Sequence, residues 1–278
     1  MRLRDGRALC GIAVIAAVAL AAPLVTSGNP NTQTDIVATR FLPPLVSDVH
    51  GGFHALGTDR FGRDVWTRLV YGARISLGVG LLAVLISVAI GTTVGAAAGY
   101  LRGWLSTALL AFTDFALALT RVVLLLLLSA LWRPSAALVV VVLGVTGWMP
   151  IARLVHGEVR GLAVRPFVEG ARAVGASRAR ILWRHILPNA LTPVIVAAAL
   201  GVGNAILLEA GLSYLGVGVQ PPTASWGSMI ASGRDTLVNA PWVATAPGLA
   251  LVLVVVACTL LGDALRDALD PGAGAARR

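Results

Sequence analysis

Long uncharged stretches alternate with short arginine-bearing ones along this chain of 278 residues. Between Arg7 and Asp35 lie 27 uncharged residues, apolar from about Ala8 to Val25, and another 27 lie between Arg74 and Arg102. Residues 105–131 are apolar except for Asp114 and Arg121. Runs of 19, 23 and 27 residues then separate Arg133 from Arg153, His185 from Glu209, and Asp235 from Asp263. About 20 helical residues cross the roughly 30 Å of a bilayer's hydrocarbon. Lipid offers the backbone no hydrogen-bond partner, and no run shows the period-two alternation of a barrel strand. The pattern predicts an all-α membrane protein with six transmembrane helices.

The segments between the runs have patterns of their own. Residues 1–27 make the first helix and its basic start, and 28–74 make a long loop. Within that loop Trp66, Leu69, Val70 and Ala73 recur at i, i+3, i+4 and i+7, with Arg63, Asp64 and Arg68 on the other face. That spacing predicts an interfacial amphipathic helix anchored by Trp66 and Tyr71, which either orients the next span or meets an external partner. Residues 75–262 form the transmembrane core, interrupted by the loop 153–188, and 263–278 form a tail. Gly91, Gly95 and Gly99 recur every four positions, the spacing that lets two helices approach closely, within the chain or between subunits. Residues 211–229 hold glycines and Pro221-Pro222, which exclude one continuous helix. Being too apolar for a free loop, this segment is expected to fold back on the end of the bundle. There it either fills packing space or lines an outer gate, with Tyr214, Gln220, Pro221 and Trp226 as candidates, as Arg63 and Asp64 are for an external contact.

The charges orient the spans. All 22 basic residues counted as Lys+Arg are arginine, against 13 acids, a formal net charge of +9. With a cytoplasmic N-terminus, 14 arginines and 6 acids fall inside, and 7 and 5 outside. This positive-inside bias places both termini in the cytoplasm. The basic excess is then topological, and nucleic acid is not needed to explain it. The first run could also be read as a cleaved signal peptide, with Arg2, Arg4 and Arg7 ahead of it. Its length favours a retained helix. Cys10 and Cys258 both fall in apolar runs and suggest no disulfide framework.

Charges within spans are costly and mark structure or function. Asp114 and Arg121 share a helix face two turns apart, and Glu209 closes the fifth run; they are candidates for a transport path or for structural pairing. The loop 153–188 carries seven arginines and two acids yet keeps a helical period. Two short helical pieces flank Gly175. Val168, Ala171 and Val174 are expected on one side, and Ala173 and Ala176 on a small, close-approach surface. Such a helix can lie in a groove of another protein or on anionic lipid. The sequence has no Walker loop, Gly-x-Ser-x-Gly, His-Glu-x-x-His or Cys-x-x-Cys motif. It is read as non-catalytic, with no metal site.

Residues 169–188 resemble the signature of binding-protein-dependent ABC importer permeases: Glu-Ala-Ala, three residues, Gly, nine residues, then an apolar group ending in Leu-Pro. Glu169, Gly170 and Ala171 stand for its start, Gly175 for its glycine, and Leu187 and Pro188 for its end. Gly170 replaces the usual alanine. The stretches 57–59, 62–64, 71–77, 184–189, 220–222, 226–229 and 261–271 are similar to the dipeptide/oligopeptide/nickel group, and to its C-type subunit. The resemblance spans about residues 56–271. Where that family commonly has a proline after the aspartate matching Asp114, this chain has Thr120-Arg121, which would suit an anionic substrate or a charge on the other permease.

The resemblance implies a type I ABC importer transmembrane domain. It would pair with a homologous B-type permease, two ATPase subunits or one fused double ATPase, and an extracytoplasmic solute-binding protein, in a lipid bilayer. ATP and magnesium would be bound by the ATPases, with no cofactor on this chain. Glu169, Gly170, Ala171, Gly175, Arg178, Leu187 and Pro188 would form the coupling helix, with Glu169 as its charged contact. The expected substrate is a peptide. A nickel chelate, glutathione or haem is the alternative within the family, and an ion-coupled carrier using Asp114, Arg121 and Glu209 the alternative outside it.

Overall fold

A computed structural model describes residues 26–269 apart from 27, 34, 102, 119 and 120. The expected first span, Ala8 to Val25, and the tail beyond Leu269 lie outside the described residues. A short helix α1 (Ile36–Thr39) and a hairpin of β1 (Val46–Ser47) and β2 (Phe53–His54) precede α2 (Val65–Tyr100). Next come α3 (Trp104–Ala118), α4 (Arg121–Leu131) and α5 (Ala136–Leu162). Two short helices, α6 (Pro166–Ala173) and α7 (Arg178–Ile181), lead through a π-helical turn (Leu182–Ile186) into α8 (Leu187–Tyr214). The last elements are α9 (Trp226–Gly233), a 3₁₀ turn (Arg234–Thr236) and α10 (Trp242–Leu269).

Four helices are long and apolar enough to cross a membrane: α2, α5, the run Arg178–Tyr214 and α10. They coincide with four of the expected spans, each extended beyond its uncharged core. The expected third span is covered by α3 and α4, with residues 119 and 120 outside the described residues. α2 starts where Asp64 accepts the backbone N–H of Thr67 at 2.7 Å, and α5 where Ser135 accepts that of Leu138 at 3.2 Å. Both are side-chain N-caps, which satisfy a donor that a helix start leaves free.

α2 and α5 run parallel and pack through their glycines. A Cβ on Gly91 would lie 2.7 Å from the Trp148 carbonyl oxygen, and one on Gly99 2.9 Å from that of His156. One on Gly95 would strike the Ala152 carbonyl. The seam continues in the other sense at Gly144, which faces Ile86, and Gly147, which faces Ser87. The four-residue glycine period thus serves contact within the chain. α8 runs back antiparallel, with Ile206 against Gly80, and α10 packs on α8 where Gly203 meets Cys258 and Gly262 meets Leu200. Leu81, Leu82 and Leu85 of α2 and Leu249, Val252, Leu253 and Val256 of α10 face outward, as lipid-facing side chains do.

The amphipathic stretch 65–74 is not a separate element; it is the unbroken start of α2. Its apolar side is buried, with Val65 against Met229 and Val243, and Ala73 against Ile206 and Trp226 in their clusters. Its polar side is covered as well. Arg68 is 4% exposed and donates to the carbonyl of Pro30 at 3.0 Å. The preceding loop therefore folds over the face that periodicity alone assigns to water.

The seam makes opposite predictions for two glycines of these helices. Gly95→Leu overpacks a backbone contact and should lower stability by about 1–3 kcal/mol. Gly157→Ala, where an added Cβ meets nothing within 4 Å, should raise it by about 0.5–1 kcal/mol. Thermal unfolding of the purified protein in detergent checks both; equal melting temperatures would show that the seam does not hold the helices together.

Candidate functional site

The signature residues gather at one end of the bundle. α6 ends in a Schellman motif: the N–H of Ala176 donates to Ala171 at 3.1 Å and that of Gly175 to Arg172 at 2.9 Å. Gly175 occupies the C′ position with φ +83°, a conformation that L side chains rarely adopt. Ser177 then caps α7 by accepting from Arg180. Val168 is fully buried, in one cluster with Ala96, Ile151, Val155, Val159, Ile181, Ile186, Leu187 and Ala190. Ala171 and Ala176 pack against that cluster. Val174 does not share this face: as the C-cap residue it swings outward and is 89% exposed. Ala173 is exposed too, so the small surface is divided between the two sides.

Glu169, Gly170 and Arg178 are exposed, and Phe167 and Trp183 show large apolar surfaces beside them. A Cβ at Gly170 would meet nothing within 4 Å, so the usual alanine would fit; the departure costs only helix propensity, up to about 1 kcal/mol. The Leu-Pro end also has a physical cause. Pro188 has no N–H to give the Arg184 carbonyl, and its ring crowds that oxygen. The chain widens into a π turn, in which the Leu187 N–H reaches Leu182, and the Asn189 side chain donates to the His185 carbonyl at 2.7 Å. Such turns often mark functional segments.

Within the bundle, α2, α5 and α8 enclose a cavity of about 370 Å³. Neither Asp114 nor Glu209 lines it. Asp114 of α3 forms a half-exposed ion pair with Arg153 of α5 at 3.1 Å. The side chain of Arg121 lies outside the described residues. Glu209 is fully buried at the other end of the bundle, where Oε2 accepts from Ser76 at 3.0 Å and Oε1 from Ser213 at 2.7 Å. Each serine oxygen in turn accepts a backbone N–H, Ser76 that of Trp226 and Ser213 that of Val219. One carboxylate thus pins both ends of residues 219–226. Asp114 and Glu209 each have a partner of their own, and no hydrogen bond or ion pair links them among the described residues.

The outer candidates divide the same way. Arg63 is 6% exposed and paired with Asp59 at 2.7 Å; Asp64 caps α2 and accepts from, or faces, His54 Nδ1 at 2.9 Å. Trp226 is buried and donates its indole N–H to Leu69. Gln220 donates to the carbonyl of Gly216 at 2.8 Å, folding its own loop. Tyr214 is half-exposed beneath the Arg234 guanidinium, and Pro221 is exposed. Sequence reasoning did not single out Ser76, Ser213 or Arg153. Only their place in or beside apolar runs could have drawn attention to them.

A family model described as the binding-protein-dependent transport system inner membrane component matches residues 91–274. The chain belongs to this family. A Brucella suis protein named as a peptide transport system permease is 42% identical over 96% of this chain and 87% of its own length. The dipeptide transport system permease of Alkalihalophilus pseudofirmus is 39% identical over 95% and 85%. The glutathione transport system permease of Escherichia coli is 42% identical over 78% and 72%. Among solved structures, a chain of the MetNI methionine ABC transporter in inward-facing conformations superposes with TM-score 0.61 at 22% identity, over 73% of this chain and 96% of that one. The fold is that of a type I ABC importer permease. The protein is a multi-pass inner-membrane component of an ABC transport system, a class that works with ATPases and further subunits.

Two predictions follow from the loop end. Glu209→Leu leaves two buried serine hydroxyls without their acceptor, a loss of about 1–3 kcal/mol for each group left unsatisfied. Glu209→Gln keeps an acceptor and should melt closer to the wild type. If both variants melt alike, the carboxylate is not the hub. In the loop, the backbone N–H of Gly52 holds the Asp48 carboxyl below its ordinary value, with His50 and His54 adding to the effect. A lowered carboxylate pKa stabilises the fold above the unfolded value, about 3.9, and that stability is lost as pH falls through the folded one. Hydrogen-exchange protection at Gly52 should be constant from pH 7 to 5 and fall below about pH 4. Loss of protection already at pH 6 contradicts the assignment.

Proposed function

We propose that this chain is one of two permease halves of a peptide importer in the cytoplasmic membrane, and that residues 163–187 transmit the work of ATPase subunits to it. The observation that carries this reading is the two-sided build of α6. Val168 is locked into the core formed by α2, α5 and α8, while Glu169 and its neighbours stay open to a partner. A force applied to the open side moves the ends of three spans together. The peptide and dipeptide relatives support the substrate class, and the glutathione relative carries a small peptide as well.

In this reading the chain has six spans with both termini cytoplasmic. A homologous B-type permease completes the pathway, and a solute-binding protein delivers the peptide on the far side, where residues 28–64 and 215–241 cluster. ATP and magnesium belong to the ATPases, whether separate or fused, and this chain performs no catalysis. Closure of the ATPases draws α6 inward, α5 and α8 follow through Val155, Val159 and Ile186, and the cavity between α2, α5 and α8 changes the side to which it opens.

Gly175→Leu tests the coupling. Nothing lies within 4 Å of the added Cβ, so the substitution acts through the backbone, at about 1–2 kcal/mol for holding an L residue left-handed. Membrane insertion and assembly should persist, while peptide uptake per ATP hydrolysed should fall about tenfold, the rate equivalent of that strain. Gly175→Asn, which tolerates the left-handed region, should lose less. Uptake by the Leu variant at the wild-type rate and ATP ratio would remove the coupling role.

A further inference from the structure

The cavity between α2, α5 and α8 carries one feature that the fold does not use. Its wall includes Ser87, Gly147, Pro150, Gly201, Asn204 and Leu208, and among the described residues no lining residue is charged. Ser87 is committed, since its hydroxyl donates to the Gly144 carbonyl at 2.9 Å. Asn204 is not. It is exposed, and its side chain makes no hydrogen bond among the described residues. It lies ten residues before the end of α8 at Tyr214, about 15 Å along the axis, which is well within the hydrocarbon depth. An unpartnered amide facing lipid at that depth costs several kcal/mol. Facing a wet cavity, it costs little.

The chemistry of the wall restricts what can be recognised there. The carboxamide offers two donors and one acceptor, the complement of a peptide group, which has one N–H and one C=O. Metal sites are anchored chiefly by carboxylate, imidazole or thiolate ligands, and the described residues of the wall supply none. A site on a transport path must also release what it binds; one neutral amide among apolar and small residues does so more readily than a fixed charge. Ala197, Gly201, Asn204 and Leu208 follow i, i+4, i+7 and i+11 on α8, so the amide stands in a row with the small Ala197 and Gly201 before it and Leu208 after it. Gly147 across the cavity adds no side chain to fill it.

We infer that Asn204 is the specificity-determining residue of this chain's wall, which hydrogen-bonds the backbone amides of a peptide in transit and offers a bare metal ion one neutral oxygen without an anionic or imidazole ligand beside it. The inference rests on the peptide-importer reading and adds to it the residue and the contact.

The test uses the whole importer in proteoliposomes: this chain with its sister permease, ATPases and binding protein. Uptake of labelled tri-alanine is measured at saturating binding protein. Asn204→Leu should lower uptake about tenfold, the scale of one or two neutral hydrogen bonds, while ATPase stimulation by the loaded binding protein and the melting temperature stay at wild-type values. Asn204→Gln, with the same amide on a longer stem, should recover part of the loss. Wild-type uptake by the Leu variant overturns the inference. So does loss of the sister permease on copurification, which makes Asn204 a subunit contact. A wild-type complex that imports a nickel chelate but no peptide overturns the peptide reading itself, whatever Asn204 does.

Discussion

The close parallel contact of α2 and α5 is the constraint on which the rest of this structure depends. In lipid, apolar surface gains little by turning inward, so helices must associate through packing and polar contacts. Gly91, Gly95 and Gly99 let the α5 backbone come close enough for such packing. The same approach brings Val155 and Val159, both fully buried, to the floor on which Val168 rests. Without that floor, α6 would be a surface helix with no core contact of its own. The seam therefore sets where the signature segment attaches and which side of it remains free.

α2 also ties the two ends of the molecule together. Gly99 lies at the signature end, and Ser76 belongs to the Glu209 hub at the other. Twenty-three residues of unbroken helix separate them, about 35 Å. The hub has the form of a buried network in which every member is satisfied: one carboxylate, two serines and two backbone N–H groups. Fully satisfied networks specify a unique arrangement. Residues 219–226 are consequently held to α2 and α8 together, and a shift of either helix is felt by the segment that covers the loop end.

The sequence disclosed the elements far better than their partners. Long uncharged runs can be little other than spans, and α2, α5, α8 and α10 fall on them. Gly175 was legible as a turn because few residues other than glycine suit φ +83°. Partner choice was not legible, because periodicity records which face is apolar and not what covers it. Arg68 looked solvent-facing until the loop around Pro30 closed over it. Asp114 and Arg121 stand two turns apart on one face, too far for an easy direct pair, and Asp114 meets Arg153 on another helix, a partner that the spacing could not name. Glu209 stood out as an intramembrane charge, but its role depends on Ser76, which lies 133 residues away in the chain. Val174 fitted the helical period of its neighbours and left their face only because α6 stops one residue before it.

The distribution of prolines completes the mechanical picture. α5, α8 and α10 each contain one inside the helix, Pro150, Pro193 and Pro247, and none is recorded within α2. A proline removes one backbone hydrogen bond and crowds the preceding turn, so bending concentrates there. Pro150 sits in the cavity wall, one turn before the Leu154–Val155 stretch that supports α6. In the proposed coupling, a displacement entering at Val168 would reach a weak point of α5 at the level of the cavity, while α2, glycine-packed and without proline, would keep its line. On that proposal the rigid rod and the hinged partner are sides of the same seam, and motion between them would alter the cavity without taking apart the contact that positions the signature segment.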